Sequence, residues 1–322
     1  MTAKKKAAAR KPARILAYLD PEAENKSLLD LLVRLVQHDG AEVLALSVLR
    51  ELPWYARVGG GPSEKISRAL ERNASAALRK EVRPLVNAGV KVRTRVAWGR
   101  PFEVIIHEVL SKPTQLVLKT AHGEGRAESL LFGSTAMHLF RKCPVPVWVV
   151  RSQRATRTRR VLAAVNPMEP TSAEVDLNVE ILRWAFHLAE KEDAELHVCH
   201  AYAIMGEHLL HDPTQQADYR AYVRDVVTRI ETAMADLISG FGLALGDRHV
   251  HIQQGNAGEI IPALATQLNA DVLIMGTIAR AGVPGLLIGN TAEQMLRAVD
   301  CSVLALKPKG FISPVGLGHQ AR

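Results

Sequence analysis

The sequence is short of the groups that most enzymes and membrane proteins advertise. Its three cysteines, Cys143, Cys199 and Cys301, lie far apart, and no C-x-x-C pair occurs. An odd number of scattered thiols beside apolar runs excludes a disulfide framework and reads as reduced, structural cysteine in a reducing compartment. Apolar runs long enough to cross a bilayer are missing, as is an apolar stretch near Met1, so the expected location is the cytoplasm. No G-x-x-x-x-G-K-[ST] and no G-x-S-x-G occurs. No paired acids stand at a motif loop with a partner base, so no catalytic constellation can be named and the chain is not expected to be an enzyme.

What is present is a globular composition. The 322 residues are 48% hydrophobic and 23% charged, ample for two domains with a core each. The net charge of +8 is concentrated in two places. Residues 1–13 carry Lys4, Lys5, Lys6, Arg10 and Lys11 without an acid, and residues 151–160 carry Arg151, Arg154, Arg157, Arg159 and Arg160. The remainder is near neutral, so the reading is a solvated tail and a solvated linker with no specific nucleic-acid partner.

The strongest signal is internal repetition. Arg14-Ile15-Leu16-Ala17-Tyr18-Leu19-Asp20-Pro21 matches Arg160-Val161-Leu162-Ala163-Ala164-Val165-Asn166-Pro167. Residues 41–46 match 194–199, and Gly99-Arg100-Pro101 falls opposite Gly255-Asn256-Ala257. Leu116-Val117-Leu118 matches Val272-Leu273-Ile274, and residues 130–134 match 286–290. Between the apolar runs lie segments of helical period: Leu28, Leu31, Leu32, Leu35 and Val36 share one face, and 63–86 and 219–238 read as longer, more polar helices. Strands separated by helices make right-handed crossovers and a parallel sheet. The expected fold is therefore α/β: two tandem doubly wound, Rossmann-like domains of five strands and four helices each. Their expected bounds are 14–151 and 160–308, with a basic disordered tail over 1–13, a basic linker over 152–159 and a tail over 309–322.

In such sheets ligands bind beyond the carboxyl ends of the strands, where strand order reverses. A glycine-bearing loop runs from the fourth strand into a helix in both halves, and backbone N–H groups at a helix start hold anions. In the second half the segment from Asp271 through Met275, Gly276, Ala279, Gly289, Asn290, Thr291 and Glu293 resembles the last βα unit of universal stress proteins. The nucleotide-binding branch of that family carries G-x2-G-x9-G-[ST] there. The resemblance covers both halves. It implies the adenine nucleotide alpha hydrolase-like fold with strand order 3-2-1-4-5, a non-catalytic stress-response role, and ATP or a related nucleotide as ligand. It also implies that the two domains pair within the chain as an internal pseudo-dimer, with a homodimer as a further association.

The motif is incomplete in both copies. The first reads Thr120, Gly123, Gly133, Ser134, so its first glycine is replaced. The second reads Gly276, Ala279, Gly289, Asn290, so its second glycine and its hydroxyl are replaced. The resemblance implies that the acid after strand 1 meets the base or ribose: Asp20 keeps it, Asn166 does not. It places Lys119 and Met275 against the base, where a lysine either neutralises a phosphate or fills the pocket outright.

Other readings stand beside this. Ser134 and Asn290 are good helix caps, and Asn290 with Glu293 has capping-box spacing, which needs no ligand. His197, His200, His208, His211 and Asp212 form a histidine-rich stretch, read as strand and loop residues rather than a metal site. Tyr202, just after strand 2, with Met275 and Leu287 would instead line an apolar cavity. The chain would then be an interaction module that has lost nucleotide binding, with an apolar or lipid-like ligand in its second domain. A slow ATP hydrolase is the third reading.

Overall fold

The computed structural model describes residues 14–36, 40–50, 64–121, 132–151, 157–168, 172–204, 213–277 and 288–316. The basic tail over 1–13, residues 152–156 of the linker, Gly123, Ala279, Leu287, His208, His211 and Asp212 lie outside them. Two compact units result. The first spans residues up to 157 together with 302–305 and the segment from 311; the second spans 158–301 and 306–310.

In the first unit, β1 (Arg14–Tyr18), β2 (Glu42–Leu49), β3 (Lys91–Trp98), β4 (Leu116–Thr120) and β5 (Val147–Val150) lie in the order β3-β2-β1-β4-β5. All four of these pairings are parallel. β1, β4 and β5 are buried along nearly their whole length, because helices cover both faces and leave no polar side to alternate with. The helices are α1 (Lys26–Val36), α2 (Glu64–Glu81), α3 (Arg83–Asn87), α4 (Pro101–Ser111) and α5 (Ser134–Lys142). α1 packs through Leu28, Leu29, Leu31, Leu32, Leu35 and Val36, the stripe that the helical period predicts. The single helix expected over 63–86 is two: Pro84 has no N–H to continue the ladder, so α2 ends at Glu81 and α3 starts afresh with proline in its first turn.

The second unit repeats the plan with β6 (Arg160–Ala164), β7 (Glu195–Tyr202), β8 (Val250–Gln254) and β9 (Val272–Gly276), in the parallel order β9-β6-β7-β8. Its helices are α6 (Ser172–Glu192), α7 (Pro213–Ser239), α8 (Ala257–Gln267) and α9 (Asn290–Ala298). Tyr202 belongs to β7 rather than to the loop after it, and α7 begins six residues before the expected 219. The tenth strand, β10 (Ser302–Leu306), completes five strands per sequence repeat. Its residues 303–305 pair antiparallel with β5, Leu304 opposite Trp148. Among the described residues no helix is long and apolar enough to cross a membrane.

The glycine match between the repeats has a backbone cause. Gly99 (φ +133°) and Gly255 (φ +146°) both turn the chain from the third strand into the next helix in a conformation that disfavours side chains. A Cβ at Gly255 would also stand 2.7 Å from Ile260. The three cysteines are free and buried, and burial pushes the Cys199 thiol up to about 12.

Candidate functional site at the carboxyl ends of the strands

Each unit reverses strand order between its first and fourth strands, β1 and β4 in one, β6 and β9 in the other. The register pairs Tyr18 with Lys119 in the first unit and Ala164 with Met275 in the second. These four residues stand at the carboxyl ends, where the switch-point crevice opens.

In the first unit this place is densely occupied. Tyr18, Lys119, Thr120 and Asp20 are 1%, 0%, 1% and 3% exposed. The Lys119 ammonium donates to the carbonyl of Thr120. Burial lowers its pKa to about 8, against the pull of the nearby Asp20 carboxylate, which favours the charged form. Burial, reinforced by Asp20, raises the Tyr18 phenol well above its ordinary value. Asp20 itself accepts from the backbone N–H of Glu22 at 3.1 Å. The Thr120 hydroxyl donates to Asn25 Oδ1 at 3.0 Å, while Asn25 Nδ2 donates to the Asp20 carbonyl at 3.0 Å and to Glu81 at 2.9 Å. The loop after β1 is thereby tied to the end of β4 and to α2.

The second unit has different chemistry at the same positions. Ala164 and Met275 are buried and apolar. Asn166, in the place of Asp20, is exposed, and its backbone N–H and carbonyl are held by the Asn178 amide at 2.9 and 2.7 Å. Gly276 has a packing reason: a Cβ there would lie 2.8 Å from Leu177 of α6. Thr277 follows β9 with its N–H on the carbonyl of Leu306 at 3.1 Å, and the Lys307 ammonium donates to the Thr277 hydroxyl. Sequence reasoning missed Lys307, since it lies thirty residues downstream in a segment without a motif.

The expected caps are displaced by one residue. Gly133 and Gly289, not Ser134 and Asn290, are the N-caps of α5 and α9, and neither helix start has a side-chain cap. Ser134, Asn290 and Thr291 are exposed residues of the first turn. The capping box is absent for that reason: Glu293 lies one position past the reciprocal place, and its carboxylate pairs with Arg297 at 2.8 Å. Gly289 is anchored by its own N–H on the Thr277 carbonyl at 2.9 Å.

The histidines divide by position. His200 is buried; its Nδ1 lies 3.1 Å from the Val165 carbonyl, which can only accept, so that nitrogen carries the proton. At the opposite end of the sheet, His197 Nδ1 lies 3.1 Å from His251 Nε2, and His249 reaches Glu195 at 3.0 Å. Burial lowers the pKa of His197, His200 and His251. Among the described residues no group of three or more His, Cys, Asp or Glu side chains is arranged to hold a metal ion.

Parallel α/β units in tandem, each with a glycine-led helix start at its switch point, define a duplicated doubly wound α/β fold. The model of the universal stress protein family matches residues 12–151 and again 159–307, so the chain belongs to that family twice over. It is 31% identical over 310 residues to universal stress protein E of Escherichia coli strain K12, covering 95% of this chain and 97% of that one. The counterpart from Photorhabdus laumondii is 28% identical over 308 residues, with 94% and 96% covered. Among solved structures, a functionally unknown protein from Pseudomonas aeruginosa PAO1 superposes with a TM-score of 0.73 at 25% identity, covering 92% of this chain and 93% of its own. A universal stress protein from Archaeoglobus fulgidus has the same fold, with a TM-score of 0.62 at 20% identity and 92% and 97% covered.

Proposed function

We propose that this chain is a cytoplasmic stress-response protein that binds a nucleotide of the ATP type, or a related small ligand, at the carboxyl ends of its strands. It acts through conformation or partners rather than through catalysis. The observation that carries this reading is the start of α9. Its first N–H groups have no side-chain cap, Gly289 brings the main chain to the surface without a Cβ, and Lys307 adds an ammonium at the neighbouring strand end. Uncapped donors, the positive end of a helix dipole and a lysine form a receptor for phosphate oxygens. The non-catalytic part rests on the groups available: Asn166, Met275, Gly276, Asn290 and Thr291 offer no acid–base pair. The tandem duplication supports the reading of the two domains as an internal pseudo-dimer.

The test is mass spectrometry of the purified chain, native and denatured, followed by ATP titration of Gly289→Trp. Gly289 has ordinary extended backbone (φ −73°, ψ 146°), a conformation open to any residue. Copurified nucleotide and a loss of roughly 100-fold in affinity are expected, about 2.7 kcal/mol of phosphate contact. Unchanged binding contradicts the reading. The apolar pair Ala164 and Met275 favours a second reading, an apolar or lipid-like ligand, and a lipid-like mass in the native spectrum would select it.

A further inference from the structure

We infer that the first unit is closed to ligand by its own side chains, so that the chain binds one nucleotide, in the second unit. This rests on the nucleotide-binding reading above and narrows it from two sites to one. The argument is one of register. Tyr18 and Lys119 are direct partners on β1 and β4, and parallel partners project to the same face of the sheet. Both side chains are buried at the carboxyl ends, so the aromatic ring and the four-carbon stem fill the mouth of the crevice between those strands. The Asp20 carboxylate, two residues beyond Tyr18, lies close enough to both groups to act on the ammonium and the phenol.

The opposite face is closed too. Thr120 projects there and is bound to Asn25, which is bound to the loop after β1 and to Glu81 of α2. A nucleotide entering the first unit would have to displace a buried lysine from its carbonyl partner, away from the nearby Asp20 carboxylate, and move a buried tyrosine. That strands charged and polar groups without partners, the costliest outcome in a low-dielectric site. In the second unit the same register positions hold Ala164 and Met275, and the acid is replaced by the exposed Asn166. One ring, one ammonium and one carboxylate are removed from the crevice at once. Gly276 replaces Thr120, so the strand end carries no hydroxyl to tie down the loop after β6. Each unit is therefore self-consistent: filled, charged and cross-linked to β4 in one, apolar in the other, where the loop after β6 is held by Asn178 of α6 instead of by the strand end.

The experiment is ATP titration of the full chain by calorimetry, read as sites per chain. The wild type is expected to bind one, Tyr18→Ala with Lys119→Met two, and Ala164→Tyr none. Two sites in the wild type, or one site that survives Ala164→Tyr, overturns the inference. No binding by the wild type removes the nucleotide reading but still judges this one. A site gained by the Tyr18→Ala, Lys119→Met variant then supports closure, and no gain overturns it. Should that variant not fold, acetylation of the native wild type with an N-hydroxysuccinimide ester decides. Lys119 is expected to stay unmodified while the exposed Lys91 and Lys112 react; labelling of Lys119 at their rate contradicts a closed crevice.

Discussion

The two switch points share a backbone and differ in almost every side chain that matters. β1 and β4 end in Tyr18, Asp20, Lys119 and Thr120; β6 and β9 end in Ala164, Asn166, Met275 and Gly276. The duplicated fold keeps strand order, turn glycines and helix starts in both copies, because these are set by chain geometry. Side chains at the strand ends are not needed for that geometry, so they are where the copies diverge. A buried lysine beside a buried aspartate spends stability on holding one arrangement. The second unit has no such pair at the equivalent positions, which hold Ala164 and Met275.

The contrast can be broken by transplantation. Ala164→Tyr with Met275→Lys copies the filled crevice into the second unit, and titration should show nucleotide affinity falling by roughly 100-fold or more, since overfilling a packed site costs about 1–3 kcal/mol before any lost contact is counted. The reverse change is read through alkaline stability. Lys119 titrates at about 8 in the fold and 10.5 in the unfolded chain. Between those values the unfolded state binds more protons, so this group makes the protein more stable as pH rises, by about 3 kcal/mol across the window. Urea unfolding at pH 7 and pH 10 should therefore show the wild type gaining on Lys119→Met by that order; a constant gap would contradict the buried, charged lysine.

Smaller effects follow from packing and from acid. Gly276→Thr, which gives β9 the residue of β4, puts a Cβ against Leu177 and should destabilise the second unit by about 1–3 kcal/mol. Thr120→Gly removes the hydroxyl bound to Asn25 and should cost the first unit about 1–2 kcal/mol. Chemical denaturation of the two variants compares them directly. In acid the second unit should weaken first. Burial holds the pKa of His197, His200 and His251 below the ordinary 6.5, so they are neutral in the fold and take up protons on unfolding. Their contribution is present above 6.5 and is lost as pH falls below it. Hydrogen exchange at pH 7 and pH 5 should show β7 and β8 losing protection before β1 and β4.

Much of this architecture is legible in the sequence, because repetition at five places and the alternation of apolar runs with helical periods are properties of the chain alone. Lys119 and Asp20 could be placed on strand ends, but not together: whether a lysine there reaches outward or fills the crevice depends on Tyr18 sitting opposite, a register fact. Ser134 and Asn290 are plausible caps by residue type, yet the helices begin one residue earlier than that choice requires, and glycine takes the cap. Gly276 looked like a ligand glycine, whereas the approach of Leu177 is a second reason for it that no local pattern carries. His249, in the turn before β8, and His251, within β8, meet Glu195 and His197 of β7, a juxtaposition that no local pattern carries.

The central claim is that one switch point is open to ligand and the other is filled. Hydrogen–deuterium exchange of the wild-type chain with and without ATP, read by mass spectrometry, tests it without any substitution. Protection confined to 160–166, 272–277 and 288–293 is the predicted result. Protection over 14–20 and 116–121, or over neither unit, would contradict it.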